Sequence, residues 1–157
     1  MTVEESDALL CANAVSYAYD STPVISDVTI TARPGDCIGL LGPNGSGKTT
    51  LLHLLAGLMP PSSGNIKLNG IELAQLERSA VARQLALVPQ ETVLVFDYSV
   101  NEVVLMGRYA HLHTFAKETQ EDLDIVKQCL LLTGTAAFAD RPFSTLSGGE
   151  KQRVVIA

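Results

Sequence analysis

The chain has 157 residues, with 11 Lys and Arg against 17 Asp and Glu, which gives a net charge of −6. This length suffices for one domain with a buried core, and the acidic balance argues against nucleic acid as a partner. We expect a protein that does not cross a membrane by itself. The sequence has no run of about 18 apolar residues, and its acidic start is unlike an export signal.

The first part of the chain alternates between strand-like and helix-like patterns. Strands are predicted over residues 9–17, 24–32, 36–41 and 65–69, a helix over 76–83, and a buried parallel strand over 85–88. In the second of these segments apolar side chains alternate with threonines, which is typical of a half-buried antiparallel strand. The run 37–41 is apolar throughout, so we predict a fully buried strand there.

A glycine-rich loop follows this apolar run directly. It fits the phosphate-binding pattern G-x-x-x-x-G-K-[ST] with Gly42, Pro43, Asn44, Gly45, Ser46, Gly47, Lys48 and Thr49. Glycines let backbone N–H groups curl around a polyphosphate, and the helix predicted after the loop adds unpaired N–H groups at its start. We therefore predict that Lys48 reaches the β- and γ-phosphates of a nucleotide and that the Thr49 hydroxyl holds Mg²⁺.

From residue 99 onward the strand signals disappear. Helical periodicity is visible over residues 100–109 and is stronger over 117–132, where Leu123, Val126 and Leu130 share one face. Acidic residues crowd the start of the second segment, where the helix dipole favours carboxylates. These patterns predict a helical insert over residues 99–146.

A second motif, Leu146-Ser147-Gly148-Gly149-Glu150, opens the last predicted helix. Ser147 and Glu150 have the spacing of a capping box, which any helix can use. A cap does not require two glycines in the first turn, where each costs about 0.5–1 kcal/mol relative to alanine. We interpret the two glycines as leaving room for a phosphate to approach the backbone at the helix start.

Together the two motifs resemble those of the nucleotide-binding subunits of ATP-binding cassette (ABC) transporters, whose signature is Leu-Ser-Gly-Gly-Glu. The resemblance implies an α/β fold: a P-loop NTPase core, an N-terminal antiparallel β-subdomain and a helical insert. It divides the chain into residues 1–98 with the β-subdomain and P-loop core, 99–146 with the insert, and 147–157 with the start of the signature helix.

The resemblance also implies roles for residues outside the two motifs. Gln90 matches the glutamine that approaches Mg²⁺ and the attacking water, so it joins Lys48 as a catalytic residue. Tyr19 falls where the family places an aromatic ring that stacks on adenine. Tyr17, on the same strand face, is the competing candidate, and a tyrosine at a strand end is also typical of a plain β-surface.

The mechanism implied by the resemblance is a head-to-tail dimer. ATP binds to the loop and Thr50 of one subunit with Mg²⁺ held by Thr49 and Gln90, and Ser147, Gly148 and Gly149 of the second ATPase subunit cover the nucleotide. The implied partners are membrane permease subunits and, indirectly, a periplasmic or lipoprotein substrate-binding protein. The implied location is peripheral, on the cytoplasmic face of the cell membrane.

One segment of the insert is similar to a subgroup of this family. Residues 100–111 resemble the V-x-x-x-V-x-x-G-R-x-P-H pattern of ATPases from iron-siderophore, haem and vitamin B12 importers, with Ala110 where proline is usual. Residues 138–146 fit the same subgroup. The apolar residues 103–106 are equally consistent with a core face of the insert.

The family's Mg²⁺-holding aspartate, water-polarising glutamate and switch histidine lie beyond the signature helix, and the sequence reaches only Ala157. We therefore expect these 157 residues alone to be inactive. Two alternatives stay open, a soluble non-transport ABC ATPase and a catalytically inactive nucleotide-binding fragment. Chromosome-maintenance ATPases also carry both motifs, but they separate them by long coiled coils, unlike residues 99–146.

Metal and disulfide chemistry have weak support in the sequence. His111 and His113 form a possible metal pair, but no cysteine or further histidine is close in sequence. Cys11, Cys37 and Cys129 are odd in number and unclustered, so we predict buried, reduced thiols.

Overall fold

The computed structural model describes residues 8–90, 92, 94–112 and 117–157. The chain separates after Leu87 into two compact units, which are described one at a time. Within the described residues, no helix combines the length and the apolar character needed to cross a membrane.

The first unit contains a four-stranded antiparallel sheet with the strand order β2-β1-β3-β4. Its strands are β1 (Leu10–Tyr19), β2 (Thr22–Ala32), β3 (Ser63–Leu68) and β4 (Ile71–Glu72). A tight turn joins β1 to β2, and Asp20 there has a φ of +52°, a region that aspartate tolerates better than most residues. The predicted antiparallel strands at the start of the chain are thus confirmed.

A bulge interrupts β1 where it faces β3. The pairing with β3 shifts between Asn13 and Ser16, and Ala14 adopts a φ of +48°. Gly64 lies opposite the bulge with a φ of +78°, and a Cβ there would collide with the carbonyl oxygens of Asn13 and Ala14. The sheet therefore requires glycine at this position for two separate reasons.

Two helices complete the first unit, α1 (Lys48–Leu55) and α2 (Arg78–Ala82). Helix α1 follows the glycine loop as predicted, and α2 is shorter than the predicted helix over 76–83. Helix α1 packs Leu51 and Leu54 against the sheet, and the core comprises Ala12, Val15, Ile25, Leu51, Leu54 and Ile66. This packing fixes the start of α1, and with it the end of the loop, relative to β1 and β2.

Buried strands were predicted at residues 37–41 and 85–88, and both predictions were wrong. Neither segment forms a strand, and the side chains of Ile38, Leu41 and Val88 are 49%, 96% and 44% exposed. An apolar parallel strand exists only when it has hydrogen-bonded neighbours, and no described residue pairs with either segment. For the same reason Cys37 is exposed, and the prediction that it is buried was wrong.

The second unit is helical, with α3 (Val100–Met106), α4 (Gln120–Leu132) and α5 (Gly148–Ile156). Its core comprises Val100, Val104, Val126, Leu130, Phe143, Leu146 and Val154. The segment leading into α5 crosses the start of α3, where Ser99 and Pro142 form an isolated bridge and the Phe143 N–H donates to the Tyr98 carbonyl at 2.8 Å. The signature helix α5 therefore shares one core with the predicted insert.

Two carboxylates of this unit have structural roles that the sequence analysis missed. Glu102 closes a capping box with Ser99 at the start of α3, and Asp122 does the same with Thr119 at the start of α4. Asp122 also accepts a hydrogen bond from Arg108 Nε at 2.9 Å, and its side chain is only 6% exposed. Hydrogen bonds from Thr119 and then Arg108 lower the pKa of Asp122 to about 2, so the pair stays charged and ties α4 to the end of α3.

The bulge gives a direct test of the sheet. Gly70→Ala is the matched control for Gly64→Ala, because Gly70 has a φ of +79° but open space where a Cβ would lie. We expect Gly70→Ala to lower the free energy of unfolding in urea by about 1–2 kcal/mol through the left-handed backbone alone. Gly64→Ala should cost at least about 1 kcal/mol more because of the collision with β1. Equal losses in the two variants would contradict the close approach.

Candidate functional site

The glycine loop is held by backbone geometry that begins well before α1. Within it, the Ser46 N–H donates to the Pro43 carbonyl at 3.3 Å, and Gly45 and Gly47 have φ values of +82° and +84°. The first hydrogen bond of the helix runs from the Leu51 N–H to the Gly47 carbonyl at 2.8 Å. The N–H groups of residues 48–50 lie before this first helical hydrogen bond, so they are available to an anion.

Gly47 is the most constrained position of the loop. It is the N-cap of α1 in a left-handed conformation. A Cβ there would lie 2.8 Å from Ile25 Cδ1 and 3.0 Å from the Val24 carbonyl oxygen. By contrast, a Cβ at Gly45 would meet nothing within 4 Å. Gly47 thus packs the loop against β2, whereas Gly45 provides only a turn.

The side chain of Lys48 folds back over the loop. Its Nζ donates to the carbonyl oxygens of Gly42 at 2.8 Å and Pro43 at 2.7 Å. Two carbonyls do not neutralise an ammonium, so the charge stays available to an anion that enters the loop. Thr49 is exposed at the start of the helix, whereas the Thr50 side chain is buried, so Thr50 can offer an anion its backbone N–H but not its hydroxyl.

The two candidate tyrosines differ in exposure. Tyr19 at the end of β1 is 48% exposed, and Tyr17 is half-buried against the core of the first unit. Their rings touch edge to face, with centroids 5.0 Å apart at 84°. Tyr19 therefore offers more ring surface to a ligand, and Tyr17 lies beside it. The sequence analysis missed Met59, whose Sδ lies 4.0 Å from the Tyr19 hydroxyl across 40 positions, because no local signal marks such a contact.

In the second unit, the signature residues form an exposed helix start. The Ser147 N–H and hydroxyl both donate to Glu150 Oε2 at 2.7 Å, and these bonds lower the pKa of Glu150. Ser147, Gly148 and Gly149 are all exposed, and a Cβ at either glycine would meet nothing within 4 Å. The fold itself therefore does not require glycine at these two positions.

Gln90 lies in the same unit as the signature residues and is exposed. It shares a cavity of about 250 Å³ with the first turns of α5, lined by Val88, Pro89, Gln90, Thr92, Gly148, Lys151, Gln152 and Val155. The sequence predicted separate roles for Gln90 and Gly148, and the structure places both at one cavity.

The histidine pair that the sequence analysis considered lies only partly within the described residues. His111 is exposed at the end of a short 3₁₀ turn, and His113 lies outside the described residues. Across the described ranges, no three His, Cys, Asp or Glu side chains cluster as metal ligands do.

Comparison with known proteins gives a family match whose range includes both motifs. The ABC transporter family model matches residues 25–157. The hemin import ATP-binding protein HmuV of Pseudomonas entomophila is 42% identical over 137 residues, which are 87% of this chain and 52% of that protein. The cobalamin import ATP-binding protein BtuD of Halobacterium salinarum is 40% identical over 136 residues, which are 87% of this chain and 34% of that protein.

A solved structure of an ATP-binding subunit of an ABC transporter superposes with a TM-score of 0.78 at 28% identity, covering 95% of this chain and 61% of that one. The chain belongs to the ABC transporter family, and membership implies nucleotide binding. The predicted resemblance to haem and cobalamin importer subunits is confirmed by these relatives. The chain spans between about a third and a half of the length of these two curated relatives.

Proposed function

We propose that this chain binds ATP on its glycine loop and forms the nucleotide-binding part of an importer ATPase. The observation that carries the proposal is the combination of open N–H groups at residues 48–50 with the Lys48 ammonium above the same loop. A polyphosphate is bound where backbone N–H donors, the N-terminal end of a helix and a flexible cationic side chain all point to one place. The hemin and cobalamin import relatives support the importer role.

The same site fits a magnesium nucleotide. Thr49 presents an exposed hydroxyl at the start of α1, and Mg²⁺ prefers oxygen ligands together with substrate phosphates. When bound, Mg²⁺ neutralises charge on the β- and γ-phosphates. Lys48 adds a second positive charge at those phosphates. The resemblance to the family supplies the proposed roles of Gln90, which are to bind Mg²⁺ and to orient the attacking water. The proposed reaction of the ATPase is phosphoryl transfer from ATP to that water.

Removing the Lys48 charge tests the phosphate site. In Lys48→Ala, loss of a charge-assisted contact worth about 1.5–3 kcal/mol should weaken ATP binding by about 10- to 150-fold. Equilibrium dialysis of the 157-residue chain with labelled ATP measures this directly. Lys127→Ala is the matched control, because Lys127 is an exposed lysine on α4 that pairs with Asp124 at 3.6 Å, far in sequence from the glycine loop. Unchanged affinity in Lys48→Ala would exclude the loop as the ATP site.

We also infer that the signature residues bind the ATP of a second subunit. Glycine at positions 148 and 149 is not required by packing or by backbone angle within this chain. The open helix start accommodates a γ-phosphate, and the Ser147 hydroxyl can turn from Glu150 to that phosphate. This arrangement supports a head-to-tail dimer of two ATPase subunits.

Sedimentation velocity can test the dimer in the presence and absence of Mg-ATP. Gly149→Asp should leave the affinity of the chain for ATP within about twofold and abolish ATP-dependent self-association, because a carboxylate repels the phosphate. A mixture of Lys48→Ala and Gly149→Asp chains should regain association, since each mixed pair keeps one loop facing an intact signature. Loss of ATP affinity in Gly149→Asp itself would place the signature at the nucleotide of its own chain and overturn the proposal.

We propose that the segment before α3, which includes Val95 and Phe96, contacts the membrane permease. Glu102 in α3 and Arg108 just after it are engaged within the unit, Glu102 with Ser99 and Arg108 with Asp122. Phe96 is 69% exposed, and its neighbour Val95 is more exposed still. With a permease bound, this subunit would lie on the cytoplasmic face of the membrane, and a substrate-binding protein would act through the permease. The relatives make hemin and cobalamin the substrate classes to test first.

A photoactivatable amino acid at position 96 tests this surface in cells that produce the permease. We expect crosslinks from position 96 to an integral membrane protein. The matched control is position 132 at the end of α4, where Leu132 is 87% exposed. Crosslinks to the permease from position 132 and none from 96 would assign the contact to another face of the unit.

A further inference from the structure

The Tyr19 ring is supported on two sides. The ring of Tyr17 meets it edge to face, with centroids 5.0 Å apart and an interplanar angle of 84°. The sulfur of Met59, in the segment after α1, lies 4.0 Å from the Tyr19 hydroxyl. About half of Tyr19 stays exposed. An aromatic ring at a strand end would otherwise sample several rotamers, so these contacts restrict the direction in which its free surface points.

Both supporting side chains are themselves anchored. Tyr17 and Met59 pack against the core of the first unit, whereas Tyr19 is 48% exposed. That core also contains Ile25, which touches Gly47 at the end of the glycine loop. The orientation of the Tyr19 ring is therefore linked through packed side chains to the place where the phosphates of a nucleotide would lie.

We propose that Tyr17 and Met59 are positioning residues, which hold the Tyr19 ring in the orientation that stacks on the base of the bound nucleotide. The inference rests on the proposed binding of ATP to the glycine loop. Tyr17 does not touch the base in this arrangement. It lowers the entropy that Tyr19 must lose when the nucleotide binds, so it contributes to affinity for the base and not to affinity for the phosphates.

The test compares ATP with inorganic tripolyphosphate, which has the phosphates but no base. Dissociation constants for both are measured on the 157-residue chain and its variants. In Tyr17→Leu we expect ATP affinity to fall about three- to tenfold, the range of an aromatic pair, with tripolyphosphate affinity unchanged. Tyr17→Phe keeps the edge-to-face contact and should bind ATP within about twofold of the parent chain. Met59→Leu keeps the apolar volume without the sulfur contact and should weaken ATP binding about three- to fivefold.

Tyr98→Leu is the matched control. It breaks the edge-to-face pair of Phe96 and Tyr98, with centroids 6.0 Å apart in the second unit, and should change neither affinity. Equal weakening of ATP and tripolyphosphate in Tyr17→Leu would make Tyr17 a structural support of the loop and overturn the inference. Unchanged ATP affinity in Tyr17→Leu would overturn it as well.

Two further outcomes keep the result interpretable. If Tyr17→Leu does not fold, as judged by circular dichroism, Met59→Leu decides, and an unchanged ratio of ATP to tripolyphosphate affinity in that variant overturns the inference. Failure of the parent chain to bind either ligand would instead contradict the proposed function. The two proposals therefore fail in different experiments.

Discussion

The geometry of the glycine loop depends on the close contact between Gly47 and β2. At this residue the chain enters α1 in a left-handed conformation, and the backbone passes so near Val24 and Ile25 that no Cβ fits between them. The contact sets the position of the first helical N–H groups, and the packing of Leu51 and Leu54 on the sheet holds the helix behind them. A phosphate site built in this way is rigid before a ligand arrives, so little conformational entropy is lost on binding.

The two glycine-rich segments show two different reasons for the same residue type. In the loop, positive φ values at Gly45 and Gly47 and contact with β2 make glycine a requirement of the fold. At Gly148 and Gly149 the backbone is helical and the surrounding space is open, so the fold gains nothing from glycine and loses helix propensity. Glycines that lower helix stability without benefit to the fold are expected where an external group must approach the backbone.

Sequence reasoning succeeded where structure is local and was wrong where structure depends on distant neighbours. The loop, the start of α5 and the antiparallel strands follow from backbone preferences and alternation within a few residues. Residues 37–41 have the composition of a buried strand, but strand formation needs a paired neighbour that composition cannot specify. The ion pair of Arg108 with Asp122 joins residues 14 positions apart. Asp122 also forms a capping box with Thr119, and the spacing of these two residues could have been recognised in the sequence.

The exposure of Cys37 has a practical consequence. Among the three cysteines, Cys11 is buried and Cys129 is partly covered, so Cys37 is the thiol that a maleimide dye reaches most readily. It lies just before the glycine loop in a segment without regular secondary structure, and no substitution is needed to place it there. The rate of dye attachment then reports how much of that apolar segment is covered. Any strand or partner that pairs with the segment would cover the Cys37 thiol and slow its reaction with the dye. The slower rate would therefore detect that pairing.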